Sequence, residues 1–125
     1  PARFVAVCGP QPFRRDDPAI TGGLERWSQR FRLLPKLEAY IGREAEVPYD
    51  LHSLWACHTP KPMLVIAPEL DWRVRTQDVE DAVEAARTAC EQAGGDPKAL
   101  TLLAPEGYNH FGPEMQQRVL EWLLK

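Results

Sequence analysis

The apolar positions of the chain follow two different periods, and each period predicts one kind of element. Residues 3–8, 62–67 and 100–104 are short, nearly continuous apolar runs. The middle run contains β-branched Val65 and Ile66 and is bounded by prolines. Runs of this length and composition are typical of strands that are buried on both faces of a sheet. The sequence therefore predicts three interior strands.

Elsewhere apolar residues recur every three or four positions, which is the spacing of an amphipathic helix. Residues 76–93 form the longest such stretch and end at a Gly-Gly pair, and residues 113–124 form another that opens on a proline. Residues 11–57 are broken by prolines and contain shorter helical stretches at 24–34 and 51–55. We therefore expect residues 11–57 to be a largely helical segment between the first two strands.

Side chains that can accept a hydrogen bond from a first-turn N–H mark the expected helix starts. Asp50 is expected to cap the short second helix and Thr76 the longest helix, while either Thr21 or Gly23 can cap the first. Residues 43–46 are charged and are predicted to form a turn. The helix boundaries are thus predicted from local signals alone.

The elements alternate in the order strand, helical segment, strand, helix, strand, helix. This order argues for an α/β fold with parallel strands joined by right-handed crossovers. A chain of 125 residues fits one domain, which at this size buries roughly two-thirds of its unfolded surface. We therefore predict a single α/β domain over residues 1–125.

Charge and hydropathy exclude several classes of partner. The net charge is −3 and the sequence pI is about 5.6, so the chain has no general attraction for nucleic acid or for an anionic membrane. No apolar run approaches the roughly 20 residues of a membrane span, and no signal-peptide pattern opens the chain. We expect neither nucleic-acid nor membrane partners. One basic cluster is expected to be the solvated face of a helix: Arg26, Arg30, Arg32 and Lys36.

The three cysteines, Cys8, Cys57 and Cys90, are an odd number and show no metal-ligand spacing. A disulfide framework is therefore not expected, and a reducing, cytoplasmic location is favoured. His52, Cys57 and His58 lie close together in sequence but have no fourth ligand at a spacing suitable for zinc. We accordingly expect no metal site.

Two ionisable residues follow successive predicted strands. Asp71 comes just after the strand at 62–67, and His110 ends the loop after the strand at 100–104. Groups at the carboxyl ends of neighbouring parallel strands gather at one edge of the sheet. A carboxylate beside a histidine can accept its Nδ1 proton, fix the tautomer and leave Nε2 free as a general base. Asp71 and His110 are therefore the candidate acid and base of a catalytic site, with Glu69 as an alternative acid.

A longer pattern carries a resemblance. The proline-bounded strand, Glu-Leu-Asp71, the long helix, the next strand, Gly-Tyr-Asn-His110-Phe and the final amphipathic helix resemble the C-terminal half of an α/β-hydrolase. Within that fold the chain is similar to esterases of the dienelactone hydrolase and acetyl xylan esterase type, over nearly its whole length. The resemblance implies a three-layer α/β fold in which residues 11–57 cover the active site. It also implies hydrolysis of a small-molecule ester through an acyl-enzyme, without a cofactor.

The resemblance also assigns site residues. It implies that Asp71 is the triad acid and His110 the triad base. Supporting roles fall on the end of the first strand and on the two loops: Cys8, Gly9, Trp72, Tyr108, Asn109 and Phe111. The chain departs from the family at the nucleophile, because its two serines, Ser28 and Ser53, lie in no Gly-x-Ser-x-Gly motif. The oxyanion loop of the family is missing as well.

We therefore expect the nucleophile to come from outside this chain. Without the first half of such a fold, one flank of the first strand is unpaired, and an exposed strand edge readily pairs with another chain. This predicts association with a complementary N-terminal hydrolase fragment or with a second copy of the chain. Because Pro1 stands only two residues before a predicted interior strand, we also expect the N-terminus to be a processing or cleavage boundary.

Other interpretations stay open. The chain can be a non-catalytic α/β module that binds a partner through its sheet flank. It can also be a small stand-alone hydrolase in which His110 activates the Cys8 thiolate. Structural roles are the remaining alternative, with Asp71 paired to Arg73 or Arg75 and with His110 capping the last helix.

Overall fold

The computed structural model describes residues 3–6, 22–30 and 36–125. Within these ranges, strands and α-helices alternate along the chain: β1 (Phe4–Ala6), α1 (Gly23–Arg30), α2 (Leu51–His58), β2 (Met63–Ile66), α3 (Thr76–Gln92), β3 (Leu100–Leu103) and α4 (Pro113–Leu124). Short 3-10 helices lie between α1 and α2 and before β3: Leu37–Tyr40, Glu44–Glu46 and Pro97–Ala99. Helices and strands fall where the apolar periods predict them.

The three strands form one parallel sheet in the order β1-β2-β3. Phe4 lies opposite Met63, which in turn lies opposite Leu100. β2 is therefore the central strand among the described residues, and the chain crosses over between each pair of parallel neighbours. This arrangement confirms the predicted mixed α/β class with parallel strands.

The burial of β2 explains why its apolar run is unbroken. Successive side chains of a strand point to opposite faces, so a strand with helices on both sides needs apolar residues at every position. Val65, on one face, is fully buried in a cluster with residues of α2, α3 and β3: Trp55, Val79, Ala82, Val83, Ala86 and Leu100. Leu64 and Ile66, on the other face, pack with Met115 and Val119 of α4. Each such side chain contributes about 1.5–3 kcal/mol when fully buried.

The two long helices end close to their predicted boundaries. α3 ends before Gly94, whose φ of 79° is the left-handed conformation common after a helix C-terminus. Thr76 does not cap α3 as expected, because the helix begins at Thr76 itself and Arg75 occupies the cap position without a side-chain hydrogen bond. α4 begins at Pro113, as its sequence predicts.

Between α1 and α2 the chain builds a small core of its own, from Leu24, Leu37 and Val47. Asp50 caps α2, since its Oδ1 accepts a hydrogen bond from the Leu51 N–H at 2.7 Å, as predicted. The expected turn at residues 43–46 is a 3-10 helix in which Glu44 is buried rather than exposed. Residues 31–34 of the predicted first helix lie outside the described residues. No helix in the described part of the chain is long and apolar enough to span a membrane.

Candidate active site

The loops that follow β2 and β3 lie side by side. Just beyond the paired strands, the Ala67 N–H donates to the Leu103 carbonyl at 2.9 Å. Farther along, the Glu69 N–H donates to the Pro105 carbonyl at 3.0 Å, and the Leu70 N–H donates to the Gly107 carbonyl at 2.9 Å. Parallel neighbours end at the same edge of a sheet, so their exit loops start together. The acid loop, residues 67–75, and the histidine loop, residues 104–112, are therefore in direct contact.

Asp71 is held firmly in the acid loop. Its side chain is buried, with 6% of the residue surface exposed. Oδ1 accepts a hydrogen bond from the Arg73 N–H at 3.0 Å, and Oδ2 accepts one from Nδ2 of Asn109 at 3.1 Å. The backbone turns tightly here, since the Asp71 N–H donates to the Pro68 carbonyl at 3.1 Å. Two donors offset part of the cost of burying a carboxylate, which is otherwise large.

His110 lies beside this network without joining it. The residue is exposed, and its side chain forms no hydrogen bond or ion pair with any residue in the described ranges. Its ring lies against Gly112, where an added Cβ would stand 2.7 Å from Nε2. Asp71 therefore binds the neighbour of the predicted base rather than the base itself. The assignment of Asp71 and His110 as triad acid and base stays a prediction.

His110 faces a cleft of about 330 Å³ between the histidine loop and the start of α4. The cleft is lined by both charged and apolar groups, among them Tyr108, Glu114, Met115 and Arg118. It is open to solvent on one side and has no wall from the acid loop among its lining residues. A small ligand can approach the imidazole from this side.

Large apolar side chains stand exposed around the two loops. Their exposed fractions are 49% for Leu70, 60% for Trp72, 72% for Tyr108 and 42% for Phe111. Three of these residues were predicted to support the site, and all four lie in the acid or histidine loop. An apolar rim of this kind around a buried carboxylate suits contact with an apolar ligand or with another protein surface.

Trp72 of the acid loop contacts a residue of α1. The guanidinium of Arg26, on α1, lies 4.1 Å from the centre of the Trp72 ring, and that of Arg73 lies 5.5 Å from it. Such stacking contributes about 0.5–1 kcal/mol at exposed sites. Arg26 was expected to belong to a solvated basic face, so its role was missed.

The remaining predicted groups give no nucleophile beside His110 within the described part of the chain. Ser28 lies on α1 and donates to the Glu25 carbonyl at 2.6 Å, and Ser53 lies on α2. Cys57 is exposed on α2 and Cys90 is buried on α3. Cys8 and Gly9 lie outside the described residues. Groups of three or more side chains able to hold a metal are absent from the described ranges.

Comparison of the sequence with models of known protein families gives no match, and comparison with curated proteins gives none either. The function therefore has to be argued from the site itself.

Proposed function

We propose that this chain supplies the acid and the histidine of a serine-type carboxylic-ester hydrolase. The observation that carries the proposal is the contact between the acid and histidine loops at the carboxyl edge of a parallel sheet, with Asp71 buried and hydrogen-bonded there. Catalytic groups of α/β folds gather at this edge. A buried, firmly held carboxylate next to a histidine-bearing loop is what orientation of a general base requires.

In the proposed reaction, a serine from a complementary polypeptide attacks the ester carbonyl. His110 takes the serine proton at Nε2 and returns it to the leaving alcohol, and water then releases the acyl group by the same route. Asp71 holds Nδ1–H of His110, which fixes the tautomer and stabilises the imidazolium. The nucleophile and the oxyanion hole belong to the partner, and no metal or organic cofactor takes part.

The sheet offers a place for that partner. Within the described ranges, β1 pairs with β2 on one side only, and β3 pairs with β2 on the other. A parallel strand added beside β1 would extend the sheet through main-chain hydrogen bonds. In an α/β-hydrolase the added strand would precede β1 in sequence and would carry the serine at its carboxyl end, on the same edge as Asp71 and His110.

The test is hydrolysis of p-nitrophenyl acetate by the native assembly, whose subunits are identified by intact and native mass. A fluorophosphonate should label a serine on the partner polypeptide and abolish turnover. His110→Ala should lower kcat by roughly 10²- to 10⁴-fold, the usual contribution of a positioned general base. His52→Ala removes a histidine from α2 instead and should leave kcat unchanged. Equal turnover in His110→Ala and in the wild type would refute the proposal.

The same side of β1, which pairs with no strand in the described part of the chain, favours a second function. In this alternative, the chain is a non-catalytic module that binds a partner through its sheet flank. In that case the native assembly forms, and turnover does not exceed the buffer rate with or without His110. The two functions therefore predict different activities but the same assembly. A strictly monomeric chain at high micromolar concentration would contradict both.

A further inference from the structure

The carboxylate of Asp71 is occupied by the residue next to the predicted base. Asn109 reaches it across 38 positions of sequence, and the hydrogen bond from Nδ2 to Oδ2 is 3.1 Å long. Asn109 is therefore directed at Asp71, while the imidazole of His110 lies against Gly112. Because the two residues are neighbours in sequence, a change of the backbone torsion angles between them can exchange their positions.

Backbone carbonyls at both ends of the segment that carries Asn109 and His110 accept hydrogen bonds. The Gly107 carbonyl accepts the Leu70 N–H at 2.9 Å, and the Phe111 carbonyl accepts Nε2 of Gln116 at 3.0 Å. Between these anchors lie only residues 108–110, of which Tyr108 is 72% exposed. Gly107 has a φ of 145°, a conformation open mainly to glycine. Residues 108–110 can therefore rotate without moving β3 or α4.

The present position of the His110 ring requires a glycine at position 112. An added Cβ on Gly112 would stand 2.7 Å from Nε2 and 3.0 Å from Cδ2 of the imidazole, and both distances are shorter than a normal contact. The backbone of Gly112 is ordinary, with φ −75° and ψ 177°, so alanine fits its conformation without strain. The imidazole thus rests in a space that glycine leaves open.

We propose that the histidine loop has two arrangements, which exchange Asn109 and His110 on the Asp71 carboxylate. In the first, the Asn109 amide binds Oδ2 and the imidazole rests against Gly112. In the second, Nδ1–H of His110 donates to Asp71 in place of the amide, and the base is oriented. The carboxylate keeps two donors in both arrangements, so the second arrangement can exist as a minor population of the resting chain, and a ligand that contacts it can raise that population. One consequence rests on the proposed function: a partner or an ester bound in the cleft favours the arrangement in which His110 is oriented as a base.

The experiment follows the imidazole N–H protons of the purified chain by NMR. The chain has three histidines, so His110→Gln identifies the signals of His110. Asn109→Ala removes the present donor to Oδ2, and Gly112→Ala displaces the imidazole from its resting place. Gln117→Ala, on the exposed side of α4, is the matched control. Melting curves establish that each variant is folded, and Gly112→Ala tests the exchange by a route that leaves the Asn109 side chain in place.

Both test variants should show a slowly exchanging Nδ1–H signal of His110 that is weak or missing in the wild type and in the control. In Asn109→Ala, the ratio of chains with His110 on Asp71 to chains without it should rise by roughly 5- to 150-fold. This factor corresponds to the cost of leaving a buried acceptor without its donor. Adding Asp71→Ala, which removes the acceptor, to either variant should remove the signal.

An unchanged His110 in both test variants would overturn the exchange. So would a protected N–H that survives Asp71→Ala, because its acceptor would then be another group. These measurements use no substrate, so they are separate from the esterase proposal. An inactive assembly in which the signal still appears would refute the esterase and leave the exchange standing.

Discussion

Glu44 is predicted to contribute strongly to the stability of the segment between α1 and α2. Its side chain is buried, with 6% of the residue surface exposed, and Oε1 accepts hydrogen bonds from the Leu24 and Gly42 N–H groups at 3.2 Å each. Leu24 lies in the first turn of α1, so the carboxylate satisfies one of the N–H groups that every helix start leaves unpaired. It also faces the positive end of the helix dipole.

The expected loss for Glu44→Ala follows from these contacts. A hydrogen bond to a charged group contributes about 1.5–3 kcal/mol, and bonds of this length fall at the lower end. Two such bonds with a dipole contribution of about 0.3–1 kcal/mol give roughly 3 kcal/mol, less what water recovers in the space left behind. We therefore expect the free energy of unfolding to fall by about 2–3 kcal/mol. Because Leu24, Leu37 and Val47 form a separate core, this loss should appear first in local opening of that core.

Urea unfolding and amide hydrogen exchange at Leu24 and Gly42 measure the two effects. Glu46→Ala is the matched control, since Glu46 belongs to the same 3-10 helix but is exposed and pairs with Arg43 at the surface. Such a pair contributes about 0–1 kcal/mol. Glu44→Gln keeps an acceptor oxygen and should cost less than Glu44→Ala. If the alanine variants of Glu44 and Glu46 lose the same stability, the burial argument is wrong.

Three further outcomes are expected from contacts in the fold. A double-mutant cycle on Arg26→Ala and Trp72→Leu should give a coupling energy of about 0.5–1 kcal/mol in urea unfolding, and no coupling would show that the stacking contributes nothing. Arg87→Lys should lower the free energy of unfolding by about 1–2 kcal/mol, because the guanidinium donates two hydrogen bonds to the Leu100 carbonyl and an ammonium cannot reproduce this geometry. An unchanged free energy of unfolding would contradict this. Ile66→Val, at a fully buried position of β2, should cost about 0.5–1.5 kcal/mol in the same assay, whereas a stabilised variant would indicate overpacking.

The candidate site was only partly predictable. The adjacency of the acid and histidine loops follows from the order of parallel strands, and that order follows from apolar periods which the sequence displays. The partner of Asp71 does not follow in the same way. Asn109 and His110 are neighbours in sequence, and both can bind a carboxylate, so no pattern decides which one does. Their choice depends on how the hydrogen bonds at Gly107 and Phe111 set the backbone torsion angles of residues 108–110.

Glu44 and Arg26 are two further residues whose contacts the sequence did not predict. The local sequence around Glu44 is charged and predicted only a turn, yet the carboxylate binds the start of a helix 20 positions earlier. Arg26 belongs to a basic cluster typical of a solvated face, yet its guanidinium stacks on Trp72 in a loop far along the chain. In both cases the deciding contact joins segments that are distant in sequence.

By itself, then, the sequence determined the elements of this protein, their order, the central position of the most apolar strand and the edge at which Asp71 and His110 would gather. These properties depend on period, burial and chain order, each of which local composition records. The tertiary structure alone decided which polar groups meet: Asn109 with Asp71, Glu44 with the start of α1, and Arg26 with Trp72. Hydrogen bonds and ring contacts form only within a few tenths of an ångström of their preferred distances, and packing sets those distances over the whole domain.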